Sequence, residues 1–418
     1  MRRTFITLGL SAAALIPLVT GARYVAARTE AWPPPSIVVS PDAGKLAAKV
    51  SVADLSDLVL TRLRRFNGEP LYGHRDTFGK DRLKAWTWTY LARAAVRLYR
   101  LGHDTRLIDE VLAGASKYEA AAHRHETERS FGWYTEDMHA SRAYREVPVS
   151  GLIMAPIVDL LLEAKQDRAL AQHVAPHRQA LLDMLRQAIA GLDKRYIETD
   201  GKGYYLLPSG EDVEPLNLMS VYAAPLLGLW RLTQDAESLR EATGIARTWK
   251  AALSTGIDGG VTWPHTARPP TSSLPPGPPE LMIKSSAAIE FPLVAYEAGL
   301  VFDRKDIEQL ARVPETTLLE RVDASHYRLR EFVDPGSDSY ISVADTGIGT
   351  VLRPASWYQY ACYNPQQSAV LDPYLFGIDP KFYRLSELAL LGLVDRLASQ
   401  FDPKACGPAG RLALLADH

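Results

Sequence analysis

A short apolar phrase built around a proline recurs along this 418-residue chain. It reads MAPIV at 154–158, AAPLL at 223–227 and EFPLV at 290–294, so its prolines lie 69 and 67 residues apart. A related segment without proline, at 94–104, begins 62 residues before the first proline and is similar to 225–235. A period of this size leaves room for two helices in each unit, which predicts an array of helical hairpins.

Hydrophobic periodicity divides the chain into helix pairs that follow a first amphipathic helix at 52–65. The first member of each pair is nearly apolar all round, whereas the second is amphipathic and charged. Because an all-apolar helix is buried and an amphipathic one lies at the surface, we predict inner helices surrounded by outer helices. The predicted pairs are 83–101 with 105–122, 150–164 with 176–196, 216–232 with 236–253, 285–301 with 305–322, and 366–376 with 385–401.

The prolines of the repeated phrase fall at matching places in the predicted inner helices. A proline in mid-helix costs about 3 kcal/mol unless the helix starts or bends there. We therefore interpret Pro156, Pro225 and Pro292 as kinks or as residues of a first helical turn.

The composition is that of a globular protein, with 47% hydrophobic and 23% charged residues. The repeats favour one large domain at 51–402, followed by a C-terminal tail at 403–418. A formal charge of -2 without a dense basic run argues against a nucleic-acid partner. The sequence has no phosphate-binding loop or metal-ligand spacing, so we expect no cofactor and no metal. Cys362 and Cys406 are the two cysteines, and the sequence leaves open whether they pair.

Residues 1–27 have the pattern of an export signal. Two arginines precede the apolar stretch 6–19, and small residues at 25–27 suit a signal peptidase. An uncleaved anchor is the alternative, because Arg23 comes before the cleavage motif. The paired arginines leave both the general secretory and the twin-arginine routes open. With an extended, proline-bearing linker at 28–50, we expect a periplasmic or secreted protein that meets the membrane only through this N-terminal segment.

Four long segments separate the helix pairs and are rich in Gly, Pro, Asp, Tyr and Trp: 124–149, 197–215, 255–284 and 323–364. Loops of this length in a compact domain are usually functional. Each precedes a predicted inner helix, so we expect all four at the same end of the molecule. The alternating Ile, Val and Thr residues of 337–351 predict a small β-hairpin.

This pattern resembles the six-hairpin α/α-toroid enzymes that act on carbohydrates, a superfamily of glycoside hydrolases, polysaccharide lyases and uronyl epimerases. The resemblance covers about residues 51–401 and lies in the repeated phrase and in the helix junction LTQDAESL at 232–239. It implies an all-α toroid of five to six helical hairpins whose cleft lies at the end bearing the long loops. It also implies a polysaccharide or oligosaccharide partner. No family-specific catalytic motif is matched, so the candidate residues come from the loops.

The first long loop holds the densest group of candidates. Trp133 or Tyr134 could stack on a sugar face, and His139 could abstract a proton. Arg145 could pair with a substrate carboxylate. The alternative is a solvated loop whose aromatic rings fill the rim of the barrel.

The next two loops supply further acids, a base and aromatic residues. Tyr205 belongs to the loop, and Glu214 and Asn217 lie at the start of an inner helix, where a helix N-terminus can orient a carboxylate. Trp263 and His265 follow two glycines and suit the wall of a sugar subsite. A capping acid, a buried amide and a structural histidine are the alternatives to these roles.

Two more places complete the set of candidates. Glu290 lies in an apolar inner helix, so it requires a partner or a raised pKa. Trp357 and Tyr360 belong to an aromatic run that could line a sugar groove or pack in the last repeat.

These observations predict an exported enzyme that cleaves a polysaccharide, with β-elimination on a uronic acid glycan as the leading reaction. Such chemistry needs a base, a proton donor and a group that neutralises the substrate carboxylate. A glycoside hydrolase with two carboxylates from Asp137, Glu146, Glu214 and Glu290 is the alternative reaction. A non-catalytic scaffold that binds or helps to secrete a polysaccharide is the alternative class. The predicted catalytic residues are His139, Tyr134, Glu214, Tyr205 and His265, and the predicted substrate-binding residues are Trp133, Arg145, Asn217, Trp263, Glu290, Trp357 and Tyr360.

Overall fold

The computed structural model describes residues 35–40, 50–71, 78–124, 131–136, 143–145, 147–207, 209–210, 212–256 and 259–401. The predicted export signal, most of the predicted linker and the predicted C-terminal tail lie outside these residues. Within them the protein is predominantly helical, with 14 helices and a few small pairs of strands.

Most predicted helices have a counterpart in the structure, and short helical turns lie between the later pairs. The helix predicted at 305–322 is wrong beyond Ala311, where a π-helical turn and a strand follow. The helices are α1 (Val52–Gly68), α2 (Phe78–Gly102), α3 (Thr105–Ala121), α4 (Val147–Gln166), α5 (Arg168–Ile189), α6 (Leu216–Thr233), α7 (Ala236–Ala252), α8 (Met282–Ala288), α9 (Glu290–Glu297), α10 (Arg304–Ala311), α11 (Val343–Thr346), α12 (Ile348–Val351), α13 (Gln367–Ile378) and α14 (Glu387–Phe401). A π-helical turn covers Pro314–Leu318 and a 3₁₀ helix covers Arg353–Tyr360.

The amphipathic helices begin at side-chain caps. In each of five helices, a backbone N–H of the first turn donates to the side chain of the residue just before the helix. For α1, α3, α5, α7 and α10 these capping residues are, in order, Ser51, Asp104, Asp167, Asp235 and Asp303. A side-chain acceptor at this position satisfies backbone donors that the helix itself leaves unpaired. The cap at Asp167 explains why α5 begins before Pro176, which lies inside the helix and does not start it.

The strands form short antiparallel pairs within the long segments between helices. They are β1 (Ile37–Val38), β2 (His123–Arg124), β3 (Phe131–Gly132), β4 (Tyr134–Glu136), β5 (Ala143–Arg145), β6 (Tyr196–Thr199), β7 (Lys202–Tyr205), β8 (Ser254–Thr255), β9 (Val261–Thr262), β10 (Leu319–Arg321) and β11 (His326–Leu329). β11 pairs with both β10 and β1, and the other pairs are β2–β3, β4–β5, β6–β7 and β8–β9. The hairpin predicted at 337–351 is wrong, because α11 and α12 occupy most of that segment.

The apolar helices pack against one another in chain order. α2 packs against α4, α4 against α6, and α6 against both α8 and α9. The 3₁₀ helix Arg353–Tyr360 packs against α8 and α14, and α14 packs against α2. The capped helices α3, α5 and α7 contact α2, α4 and α6 respectively. In the last predicted pair the second member, α14, joins the apolar series, which reverses the order expected from the sequence.

Among the described residues, α4 is the one helix long and apolar enough to cross a membrane. Its most apolar stretch is 78% buried inside the protein, so packing against α2 and α6 accounts for its composition. Gly151 permits the close approach of α4 to α6, since a Cβ there would lie 2.5 Å from the Val221 carbonyl oxygen. Pro156 and Pro225 lie inside α4 and α6, whereas Pro292 lies in the first turn of α9.

Candidate functional site

Three polar side chains meet just before and within the first turn of α8. The Nδ1 atom of His265 lies 2.9 Å from Oε1 of Glu280. On the other side of the ring, Nζ of Lys284 lies 3.3 Å from Nε2. We name these residues, His265, Glu280 and Lys284, the His265 cluster.

Backbone hydrogen bonds fix the position of His265 on both sides. Its N–H donates to the Pro278 carbonyl at 2.7 Å, and its carbonyl accepts from the N–H of Leu216 at 2.9 Å. The second bond ties the backbone of His265 to Leu216, the first residue of α6. Glu280 is held in the same manner, because its N–H donates to Trp263 and its carbonyl accepts from Val333. The cluster therefore rests on two helix starts and on the strand-like pairing of the proline-rich loop.

The hydrogen bonds of the cluster specify the tautomer of the imidazole. The Lys284 ammonium has only donors, so Nε2 of His265 must be the acceptor. The ring proton then lies on Nδ1 and is donated to Glu280, which leaves a basic nitrogen at Nε2. The His265 side chain is 20% exposed, whereas Glu280 is fully buried, so a ligand can reach the imidazole without reaching the carboxylate.

Burial is the main electrostatic effect on Glu280. It raises the pKa of this carboxyl, while the hydrogen bond from His265 and the charge of Lys284 act in the opposite direction. Oε1 also accepts from the N–H of Leu281 at 3.0 Å. Among the described residues no donor reaches Oε2. A buried carboxylate with one bound edge suits a group that orients an imidazole and stabilises its protonated form.

Buried aromatic rings stand behind the cluster. The ring centre of Trp263 lies 5.2 Å from that of Trp249 and 6.5 Å from that of Trp357. Trp357 in turn lies 5.8 Å from Tyr360, whose hydroxyl donates to the Ile289 carbonyl at 2.5 Å. All four side chains are buried, so they form a packed layer and present no open stacking face.

The predicted residues of the second loop lie beside His265. The N–H of Glu214 donates to the Tyr205 carbonyl at 2.8 Å. The Glu214 carboxylate accepts from Arg195 at 2.7 Å, and the Tyr205 hydroxyl donates to Glu241 at 2.5 Å. Asn217 is buried in the first turn of α6. The structure thus brings Tyr205, Glu214, Asn217, Trp263, His265, Trp357 and Tyr360 into one region, although most of these side chains are buried in it.

The first loop is described in part. Trp133 is buried, and its indole N–H donates to the Tyr118 carbonyl at 2.9 Å. Tyr134 and Arg145 are directly paired across the β4–β5 hairpin. His139, Asp137 and Glu146 lie outside the described residues.

A second polar region lies elsewhere, in a cavity of about 240 Å³ between the apolar helices. Its walls come from the C-terminal halves of α2, α4, α6 and α14, from α9, and from residues 358–362. The C-terminal halves of α2, α4, α6 and α14 all line one cavity, so these four helices run in the same direction. The His265 cluster lies at helix starts, so the two regions occupy opposite ends. We name this space the interhelical cavity.

Ion pairs between helices fill one side of the interhelical cavity. Arg93 of α2 binds both carboxylate oxygens of Glu290 and lies 2.7 Å from Asp159 of α4. Burial opposes the charge of Arg93, but the two carboxylates raise its pKa above the usual value. Arg97 pairs with Asp395 of α14. The predicted requirement of Glu290 for a partner is therefore met by Arg93.

Several residues of both regions were not identified as candidates from the sequence. Glu280 and Lys284 carry no motif, and their approach to His265 depends on the pairing of 263–266 with 277–280. Arg93 and Asp159 do have a signal, since each is a charge inside an apolar helix and needs a partner there. Searching the inner helices for charges of opposite sign would have found them.

Comparison with known proteins does not assign a function to this site. No model of a protein family matches the chain, and no curated protein matches it. In the part of the chain that the structure describes, no group of three or more His, Cys, Asp or Glu side chains could hold a metal ion. Cys362 is disulfide-bonded, and the only other cysteine, Cys406, lies outside the described residues.

Proposed function

We propose that this protein is an exported carbohydrate-active enzyme with an α/α-toroid fold, and that it cleaves a uronic acid glycan by β-elimination at the His265 cluster. The observation that carries the proposal is the imidazole held between a buried carboxylate and an ammonium group. The packing series from α2 through α14 and back to α2 supports the toroid.

Elimination begins with removal of the proton on the carbon next to the substrate carboxylate. In the proposed reaction His265 Nε2 takes this proton, because it is the unprotonated ring nitrogen. Lys284 moves from Nε2 to the substrate carboxylate, which neutralises it and makes the neighbouring proton more acidic. Substrate binding thereby frees the base at the moment it is needed.

The electron pair of the broken C–H bond forms the new double bond as the glycosidic C–O bond breaks. The leaving oxygen then takes a proton from the imidazolium, which returns His265 to its starting state. Glu280 touches neither reacting atom, so it acts as a positioning residue that stabilises the imidazolium. The products are an unsaturated uronide and a sugar with a free hydroxyl, and the atoms balance without a cofactor.

Hydrolysis by two carboxylates has weaker support. Such an enzyme needs one carboxylic acid with a raised pKa facing a free carboxylate. The two described candidates, Glu214 and Glu290, are each ion-paired with an arginine. They also lie in different regions of the molecule.

A panel of neutral and uronic acid polysaccharides tests the proposal. Elimination gives a product that absorbs ultraviolet light, whereas hydrolysis gives new reducing ends without this absorbance. His265→Asn keeps a donor for Glu280 but lacks the base, so we expect at least a ~10²-fold loss of rate with an unchanged fold. His173→Asn is the matched control, because His173 and Asp109 form a similar pair 2.8 Å apart on the surface.

Three outcomes would contradict the proposal. Full activity of His265→Asn would show that His265 is not the base. New reducing ends without ultraviolet absorbance would show that the reaction is hydrolysis and not elimination. Binding of a polysaccharide without any turnover would favour the scaffold.

A further inference from the structure

We propose that the interhelical cavity is a second binding site, specific for one neutral sugar unit, at the end of the molecule opposite the His265 cluster. This inference does not rest on the proposed reaction. It follows from the size of the cavity, the balance of charges in its walls and the mixture of polar and apolar lining.

The volume sets the size of the ligand. About 240 Å³ is slightly below the range of about 300–1,000 Å³ that holds drug-sized molecules. The space therefore suits a single sugar ring or the end of a chain rather than an oligosaccharide. An adjoining space of about 30 Å³ shares Arg93, Arg97, Glu290, Gln359 and Asp395 with the cavity, so these side chains form a partition between the two.

The charges in the walls nearly cancel. Four guanidinium groups face five carboxylates, and several of them are already joined in the ion pairs of the partition. The lining arginines are Arg93, Arg97, Arg100 and Arg231, and the lining acids are Asp159, Glu163, Glu290, Glu297 and Asp395. A ligand with a net charge of either sign would meet wall groups of its own sign, whereas a neutral ligand avoids this repulsion.

The same groups match the hydrogen bonds of a polyol. Carboxylates accept from hydroxyl groups and guanidinium groups donate to them, so ligand hydroxyls find both kinds of partner. Apolar surface lies between the charges, contributed by Ala155, Val158, Ala224, Pro225 and Leu293. Sugars combine hydroxyl edges with apolar C–H faces, and a wall of this composition is complementary to both.

The repeated phrase builds this wall. Ala155 and Ala224 precede the prolines of α4 and α6, and both line the cavity. Three residues after the prolines of these two helices, α4 offers Asp159 and α6 offers Gly228, and the corresponding residue of α2 is Arg97. The repeats therefore keep the helix geometry while they vary the chemistry at the positions that face the cavity.

Calorimetric titration with glucose, galactose and mannose tests the site, with glucuronate and glucosamine as anionic and cationic probes. From the binding energy that a ligand of this size gains, we expect a Kd of about 1 mM for at least one neutral sugar. Both charged probes should bind the interhelical cavity at least 10-fold more weakly, and any glucuronate binding that survives Ala224→Met is assigned to the proposed catalytic site. His265→Asn should bind the neutral sugar unchanged, which separates this site from the proposed catalytic one.

Filling the cavity should remove the binding. Ala224→Met places a flexible side chain into the space, and we expect at least a 10-fold weaker affinity. Ala155→Met fills it from the facing helix and serves if the first variant fails to fold. Ala180→Met is the matched control, because Ala180 is exposed on α5. Unchanged binding in both cavity variants, tighter binding of a charged probe that both cavity variants abolish, or no binding of any neutral sugar would each overturn the inference.

Discussion

The two ends of the apolar helices organise their polar groups in different ways. At the helix starts, His265 and Glu280 are held by main-chain hydrogen bonds, and one titratable ring stays partly exposed. At the helix ends, Arg93 and Arg97 are held by carboxylates from other helices. Groups fixed by backbone can change protonation without moving the fold, whereas groups fixed by charge hold the helices together. The proposed reaction depends on the first arrangement, whereas the second joins α2 to α4, α9 and α14.

Removal of Arg93 should have the largest effect on stability. Arg93→Met removes the guanidinium that pairs with the largely buried carboxylates of Glu290 and Asp159, and the loss of one member of a buried ion pair costs about 3–5 kcal/mol. Chemical denaturation measures the free energy of unfolding. A variant that also carries Glu290→Leu and Asp159→Leu removes all three members of this ion-paired group and should recover most of the loss. If the triple variant is as unstable as the single one, charge pairing is not what Arg93 contributes.

A buried acid near the helix starts should make stability depend on pH. Burial raises the pKa of Glu241 to about 7, against 4.5 for the ordinary group. The folded state holds this proton more tightly than the unfolded state. Its contribution is therefore fully present below pH 4.5 and is lost as the pH rises through 7.

The size of this pH effect follows from the shift. Wild type should lose about 3 kcal/mol over this pH range relative to Glu241→Gln, which cannot ionise but still accepts from the Tyr205 hydroxyl. Denaturation curves of both proteins at several pH values give the difference. Parallel stability profiles would show that Glu241 ionises in the fold as it does in the unfolded chain.

The close packing of α4 on α6 leaves no room for a side chain at Gly151. A Cβ at Gly151 would meet backbone atoms of Val221 and Tyr222 at 2.5–2.8 Å, and backbone has little freedom to move aside. We expect Gly151→Ala to destabilise by about 1–3 kcal/mol. Gly349→Ala is the control, since a Cβ there has nothing within 4 Å. Equal thermal midpoints for the two variants would mean that the helices can separate without cost.

Surface ion pairs should contribute least. Asp183 and Arg186 of α5 lie 3.2 Å apart, but their side chains are 47% and 53% exposed. Asp183→Asn should change the free energy of unfolding by less than about 0.5 kcal/mol, because solvent screens the pair. Comparison with Arg93→Met shows how much of the effect of losing an ion pair comes from the burial of the pair. A similar loss of unfolding free energy in both variants would mean that the buried ion pairs at the helix ends stabilise the fold no more than a surface pair does.

Much of the helical architecture follows from the sequence because its causes are local. Apolar periodicity places α2, α3, α4, α6 and α7 within about five residues, since it depends on neighbours three or four positions away. The helix predicted at 176–196 is displaced, because α5 begins at the Asp167 cap and ends at Ile189. The prediction is wrong at 305–322, where α10 ends at Ala311 and β10 follows a π-helical turn. β10 exists because it pairs with β11, and β11 with β1 near the other end of the described chain.

The candidate sites divide in the same manner. His265 stands out in the sequence as a histidine after Gly259 and Gly260, whereas its partners Glu280 and Lys284 depend on how the proline-rich loop folds back. Arg93 and Glu290 are 197 residues apart, so their contact depends on the arrangement of whole helices. A buried charge predicts that a partner exists, but only the fold identifies which residue it is.

The contact of α14 with α2 has a consequence for the order of events during synthesis. Arg97 and its partner Asp395 are 298 residues apart. At about 5–20 residues per second, the apolar side of α2 leaves the ribosome roughly 15–60 s before its last neighbour is made. During that interval the nascent chain exposes apolar surface that α14 covers in the folded protein, and exposed apolar surface of this kind favours aggregation unless a chaperone binds it.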